Sequence, residues 1–500
     1  MPNLESTALN ILPRSLIVVG DTECALAQTK IGERVAVLAP NGAPLFADFQ
    51  GETSEYAGKL LLVGPKNAHN AAALRSHIPW LKPRPLGLRT SAGLGDRIGL
   101  ATPGHVRAMR AVSVDAANKI APIFAQQSIR EMTRTGRSPQ QVMDDATWGI
   151  FAEGWREGVG ADADHLKVPA DIDACAAAGY SFYTIDPGEH VDNSAETASP
   201  AELRVAIEKL PWDKLEDNAK SLQARYLSRS FDIENHAIRF DEHALLRAAV
   251  KYGRAIAHVA AMYRHLATKD IPFELEVSVD ETEMPTTHAE HIYIASELRR
   301  LGVKWVSLAP RYIGRFEKGA DYIGDLKAFE EDFAVHAAIA RGLGPYKLSL
   351  HSGSDKFSIY PAAARQTRGV VHLKTAGTSY LEALHTLAPL DPGFFRSIYA
   401  FARERWETDR ASYHVSAELA RAPLTEKLAD ADLPALLDQF DAREILHVTF
   451  GSVLTARNAD GQLRFYDRFM ELLRANPEAY AANLGGHFLR HLKPFAQARP

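Results

Sequence analysis

Residues 273–310 read FELEVSVDETEMPTTHAEHIYIASELRRLGVKWVSLAP. The first eight alternate between apolar and polar side chains, the two-residue period of a strand. Thr287 and Glu290 have the spacing of a capping box and open a helix over 287–301, which Gly302 closes. Residues 303–310 form the next strand. A strand, a helix and another strand in one short span make the repeating unit of a parallel sheet.

The rhythm continues downstream. Asp325 caps a helix whose apolar face is Leu326, Phe329, Phe333, Ala337 and Ala340, ending at Gly342. Residues 347–351 and 369–377 read as strands, 358–365 and 380–387 as helices. Upstream, 86–92, 120–126, 161–167 and 181–186 bring the count to eight strands, which predicts an α/β fold built on a (β/α)8 TIM-type barrel over 85–390. A charged helical insertion around 200–265 interrupts it. Residues 1–84 carry the aliphatic runs SLIVVG, RVAVLAP and KLLLVGP and end in a proline-rich boundary at 77–85, which predicts a small N-terminal α/β domain. Residues 391–500 read as a C-terminal, mostly helical extension packed on the barrel, with one strand-like run at 445–449.

Composition bounds the function. The 500 residues carry 57 basic and 62 acidic side chains, a net charge of −5, so there is no basic excess to neutralise phosphates. Two cysteines, Cys24 and Cys175, cannot build a disulfide framework or a thiolate zinc site and suit a reducing, cytoplasmic compartment. Leu16–Gly20 is too short to span a bilayer, and no basic leader precedes it.

The barrel strands carry the chemistry. With Leu275, Val277 and Val279 toward the helices, Glu276, Ser278 and Asp280 point inward. The same alternation sends Ser349 and His351 inward, and His372 and Lys374. In ADADHLK, Asp162 and Asp164 share one face, His165 and Lys167 the other. Charged groups inside a barrel are costly unless paired or metal-bound, so they form either an ion-pair ring that fills the barrel or an active site. Histidines with carboxylates and no cysteine suit a divalent cation such as Zn2+, Mn2+ or Ni2+. The candidate ligands are His165, His351 and His372, with a carboxylate from Glu276, Glu317 or Asp321. GLGDRIG (Gly93, Gly95, Gly99) departs from the dinucleotide spacing and reads as a tight loop. His487 and His491, four apart on a C-terminal helix, read as a solvated or packing face, and His288 and His291 fall in a first helical turn.

Beyond these readings, GADADHLK, ELEVSVDET with the following PTT, SLAPRYIGRFEKGADYIGD, LSLHSGSDKFSIYP and VVHLKTAGTSYLEAL together resemble the tagaturonate/fructuronate epimerase family of bacterial hexuronate catabolism. The resemblance runs from about residue 85 onward. It implies a metal-dependent interconversion of D-tagaturonate and D-fructuronate, which differ at C4. The C2 ketone acidifies C3–H and not C4–H, so the economical route is retro-aldol cleavage of C3–C4 and re-formation of the bond, as in class II aldolases. The resemblance makes Asp164 a base beside the ligand His165, although strand neighbours point to opposite faces unless the strand bends there. It makes Glu276 the partner acid, with Asp280 and Glu281 as rivals, and His351 a further ligand. Lys374, Lys356, Arg311 and Lys167 become candidates for the uronate carboxylate, and Arg311 offers a bidentate fit. A class II aldolase or ketose isomerase on a related sugar acid would use the same residues. The implied partner is a small-molecule ketohexuronate, with no nucleic acid or membrane, and a homo-oligomer is compatible.

Overall fold

The structure, a computed structural model, describes residues 3–351, 355–375, 377–413 and 415–498. Residues 352–354 of the LSLHSGSDKFSIYP motif, and Ala376 of the strand expected over 369–377, lie outside them.

The chain begins with an antiparallel sheet of β1 (Asn10–Ile11), β2 (Ile17–Val19), β3 (Thr22–Thr29), β4 (Gly32–Ala39), β5 (Glu52–Tyr56) and β6 (Lys59–Pro65), followed by the helix Ala68–His77. The three aliphatic runs become β2, β4 and β6; β2 and β4 both pair with β3, and β4 with β6, all antiparallel and not through parallel crossovers. The apolar face of this sheet is continuous with the core of the barrel. Arg14 pairs with Glu153 at 2.5 Å and Arg75 with Asp144 at 2.8 Å, both acids on the barrel helix Pro139–Glu153.

Eight parallel strands then close a barrel: β7 (Ser91–Gly93), β8 (Ala121–Ser128), β9 (Gly160–Leu166), β10 (Phe182–Ile185), β13 (Glu274–Ser278), β14 (Ser307–Ala309), β15 (Lys347–Leu350) and β16 (Val371–Lys374). The inserted pair β11 (Ser230–Ile233) and β12 (His236–Arg239) forms a separate hairpin within the insertion, which is otherwise helical and ends in the helix Glu242–Ala267. Leu275, Val277, Leu348, Leu350, Val371 and Leu373 all join the apolar layer under the helices, which leaves the alternate residues inside. The first barrel strand starts at Ser91, five residues later than its expected 86, because Gly87 turns the chain at φ +67° and Leu86 plugs the barrel floor with Ala121, Ile123 and Phe182.

The C-terminal region is helical throughout its regular parts. The run 445–449, read as strand-like, lies mostly in the helix Phe440–Val448. Gln439 caps that helix by accepting from Ala442 N, and Ala442, Ile445 and Leu446 are buried at helical spacing. The final helix, Pro477–Ala496, packs on the first barrel helix, Thr102–Ser113. Gly104 permits that approach, since a Cβ there would lie 2.6 Å from Leu484 Cβ. No helix among the described residues is long and apolar enough to cross a membrane.

Candidate active site

The inward-facing residues form three polar layers. The lowest is built from Ser91, Lys347 and His372. Lys347 Nζ donates to Ser91 Oγ at 3.0 Å, and Ser91 Oγ lies 2.8 Å from His372 Nδ1. The His372 ring packs on Phe182 with centroids 4.8 Å apart. His372 faces inward as the alternation predicts, but its register with Ser91 and Ser349 sets it one pleat below His351 and Lys374. It therefore does not join the other histidines, and its Nε2 comes no nearer to a carboxylate than 3.9 Å, at Asp162.

The middle layer is an ion cluster around Lys374. Its ammonium lies 2.6 Å from Asp164, 3.0 Å from Asp162 and 3.0 Å from Glu276, with all four side chains buried. Burial opposes its charge, but the three carboxylates outweigh burial and hold Lys374 well above its usual pKa. Conversely, Lys374 and the histidines overcome burial to keep Asp164 and Glu276 ionised far below the carboxylate range. A Lys374 so enclosed is a counter-ion and not a free cation for a substrate, the role expected of it.

The upper layer rests on a local irregularity in β9. Two steps along β10, Tyr183 to Ile185, pair with three along β9, Ala163 to Leu166. His165 takes up the extra residue in the left-handed region at φ +52°. The bulge brings Asp164 and His165 to the same mouth, with His165 Nε2 3.7 Å from the Asp164 carboxylate. His165 Nδ1 is engaged by Asp186 at 3.2 Å. Across the mouth, His351 Nε2 is engaged by Glu276 at 2.6 Å, and His351 Nδ1 lies 3.2 Å from Asp280. His165, Asp280 and His351 each offer a ligand atom within 4.8 Å of the others. The histidines meet edge to face with centroids 5.2 Å apart.

The field here is strongly negative. Burial works against charge on His351, yet Asp280 and Glu276 push its pKa up to about 10. His165 is likewise carried up to about 9 against burial by Asp164 and Asp186. Glu276 Oε2 is buried with no hydrogen-bond partner among the described residues. A site that stabilises positive charge, with two histidines each oriented by a carboxylate, suits a divalent cation.

A cleft of about 600 Å3 opens over His351 and Asp280. Its walls come from the loops after β13 and β14, from Arg130, and from Tyr413, Val415 and Ser416 of the C-terminal extension. Arg311 lines it, with one guanidinium N–H donated to the Thr282 carbonyl. Glu317 also lines it but accepts from Ser416 N and Oγ, both at 2.8 Å, and so stands apart from the histidines. Asp321 accepts from Ser358 N and Oγ, which removes it as a ligand. Lys356 is buried and donates to the Glu317 carbonyl at 2.6 Å, bracing that loop. Lys167 is half exposed and pairs with Glu189 at 3.0 Å, outside the cleft walls. Lys318 lines the cleft without an ion pair among the described residues, and sequence reasoning missed it. Its signal is a lysine in the loop motif GRFEKGAD, directly after Glu317.

Residues 12–495 match the family model for tagaturonate epimerase. The chain is 44% identical to the tagaturonate/fructuronate epimerase of Thermotoga maritima over 456 residues, 91% of this chain and 89% of that protein. The native crystal structure of the fructuronate–tagaturonate epimerase of Cohnella laeviribosi matches with a TM-score of 0.91 at 37% identity, covering 98% of this chain and 97% of that one.

Proposed function

The chain belongs to the tagaturonate epimerase family and so to the isomerases, and from that premise we propose a metal-dependent C4 epimerisation of D-tagaturonate and D-fructuronate by retro-aldol cleavage and re-addition. The observation that carries the metal is the paired arrangement of the histidines. His165 gives one ring nitrogen to Asp186 and His351 gives one to Glu276, so the other nitrogens are left for a cation shared with Asp280. A divalent cation held by His165, His351 and Asp280 would supply Lewis-acid stabilisation of negative charge on the substrate.

The protein's own groups do the rest. Asp164 takes the proton from the C4 hydroxyl. Gln126 Nε2 donates to its other oxygen at 3.0 Å, and Lys374 holds it in place. Asp164 and Glu276 both contact the Lys374 ammonium, which takes the proton from Asp164 as it gives one to Glu276, and Glu276 returns it to the C4 oxygen on the opposite face. Glu276 also fixes the His351 ring, which merges the acid role expected of it with a positioning one. The cleft holds the aldehyde fragment while its carbonyl turns over, and Arg311 and Lys318 hold the uronate carboxylate.

The experiment is an incubation with D-tagaturonate and Mn2+, Ni2+ or Zn2+ in D2O, followed by NMR. We expect fructuronate with no deuterium at C4, because retro-aldol cleavage keeps the C4 hydrogen. Deuterium at C4 rules out the cleavage route. Conversion that survives rigorous chelation rules out the metal, and released three-carbon fragments without epimer point to an aldolase.

A further inference from the structure

Away from the barrel mouth, three side chains from distant parts of the chain converge in a buried pocket. Asp355 lies in the loop after β15, four residues beyond His351, while His487 and His491 sit one turn apart on the helix Pro477–Ala496. His487 Nε2 is 2.8 Å from Asp355 Oδ1, His491 Nε2 is 3.2 Å from the same oxygen, and the two Nε2 atoms are 3.0 Å apart. The triangle is close to one face of a tetrahedron whose corners lie 2.0–2.1 Å from a central ion, with an edge of about 3.3 Å. Read from sequence as a solvated or packing face, this pair is in fact buried against a carboxylate.

The outer atoms of the three residues are already engaged. His487 Nδ1 faces Glu382 at 3.2 Å, and His491 Nδ1 meets the Tyr360 hydroxyl at 2.9 Å. Asp355 Oδ2 is taken by Arg443. Partners of this kind orient imidazoles toward a metal. Asp355 is only 5% exposed, and its Oδ1 is faced by both Nε2 atoms. Protons cannot satisfy the three mutual contacts together: with both Nε2 atoms protonated two donors face each other, and with one protonated a lone pair faces the carboxylate. A cation capping this face satisfies all three atoms together.

We propose that Asp355, His487 and His491 form a divalent-cation site, separate from the barrel-mouth cluster and best matched by Zn2+ in its two-imidazole, one-carboxylate donor set. Its role is that of a clamp. It ties Asp355, four residues beyond His351 in the chain, to the last helix.

The test starts from a His165→Ala/His351→Ala chain, in which the barrel-mouth cluster is dismantled and its status cannot affect the count. The protein is stripped with chelator, reloaded with Zn2+ alone and measured by inductively coupled plasma mass spectrometry and thermal melting. One zinc per chain and a zinc-dependent rise in Tm are expected. Adding His491→Gln or Asp355→Asn should weaken zinc binding at least 100-fold and abolish the rise. No zinc in the starting chain, or undiminished binding in both added variants, overturns the proposal. If those variants do not fold, zinc-soaked crystals of the unaltered protein decide it: an anomalous peak among the three side chains supports the site, and its absence overturns it.

Discussion

Asp164 and His165 are consecutive in a strand, yet both side chains enter the barrel mouth, because His165 sits at φ +52° in a bulge. The strained backbone and a ring of the candidate metal cluster fall on one residue. Asparagine tolerates the left-handed region and a β-branched residue does not, so His165→Val should be less stable than His165→Asn by about 1–2 kcal/mol. Both should lose epimerase activity by about 100-fold or more, since the cluster geometry is gone. Chemical denaturation of the pair checks the first claim; equal stabilities would mean that the bulge relaxes at no cost.

Lys374 gives a second expectation. It is the buried counter-ion of Asp162, Asp164 and Glu276, so Lys374→Met leaves three carboxylates without it. The loss should be about 3–5 kcal/mol of folding stability, read from urea midpoints. It should shrink as the pH falls, because without the ammonium the carboxylates bind protons more readily. A Lys374 that served only to hold substrate would leave the midpoint unchanged.

The barrel and its polar interior were legible from strand alternation, since inward and outward faces follow directly from a period of two. Two features were not. Alternation says which residues face inward but not how deep they lie, so His372 and His351 looked equivalent although one pleat separates them. A bulge reverses alternation, and nothing in ADADHLK marks it, so the neighbouring Asp164 and His165 could be paired only through the family resemblance. The ion-pair ring and the candidate active site are consecutive layers of one interior. Asp355 with His487 and His491 was illegible for another reason: contacts across more than a hundred residues leave no local pattern.

Lys318 supplies a third prediction. It lines the cleft beside Arg311 and carries no ion pair among the described residues. A charge-assisted hydrogen bond to the uronate carboxylate is worth about 1.5–3 kcal/mol, so Lys318→Met should raise KM by about 10- to 150-fold. The melting temperature should hardly move, because no ion pair among the described residues is broken. Steady-state kinetics on D-tagaturonate, with Lys167→Met as a control outside the cleft, separates the two lysines. Equal effects from both would remove Lys318 from the carboxylate site.

Glu444 gives the pH dependence its sign. Burial and the neighbouring Glu317 push its carboxyl up to about 8, and Ala417 N donates to it at 3.2 Å. In the unfolded chain an ordinary glutamate ionises near 4.3. Between these values the folded state holds a proton that the unfolded state has released, so this group makes stability fall as the pH rises from about 4.5 to 8. Glu444→Gln keeps a donor toward Glu317 and removes the titration. At pH 4 the variant should match the unaltered protein, and by pH 8 it should be more stable by roughly 4–5 kcal/mol, about 1.4 kcal/mol per pH unit between the two pKa values. Melting curves of the two proteins across that range isolate the effect, because every other titrating group is common to both. Parallel curves would mean that Glu444 is ionised in the fold, with Lys356 and the Ala417 amide sufficient to hold the charge.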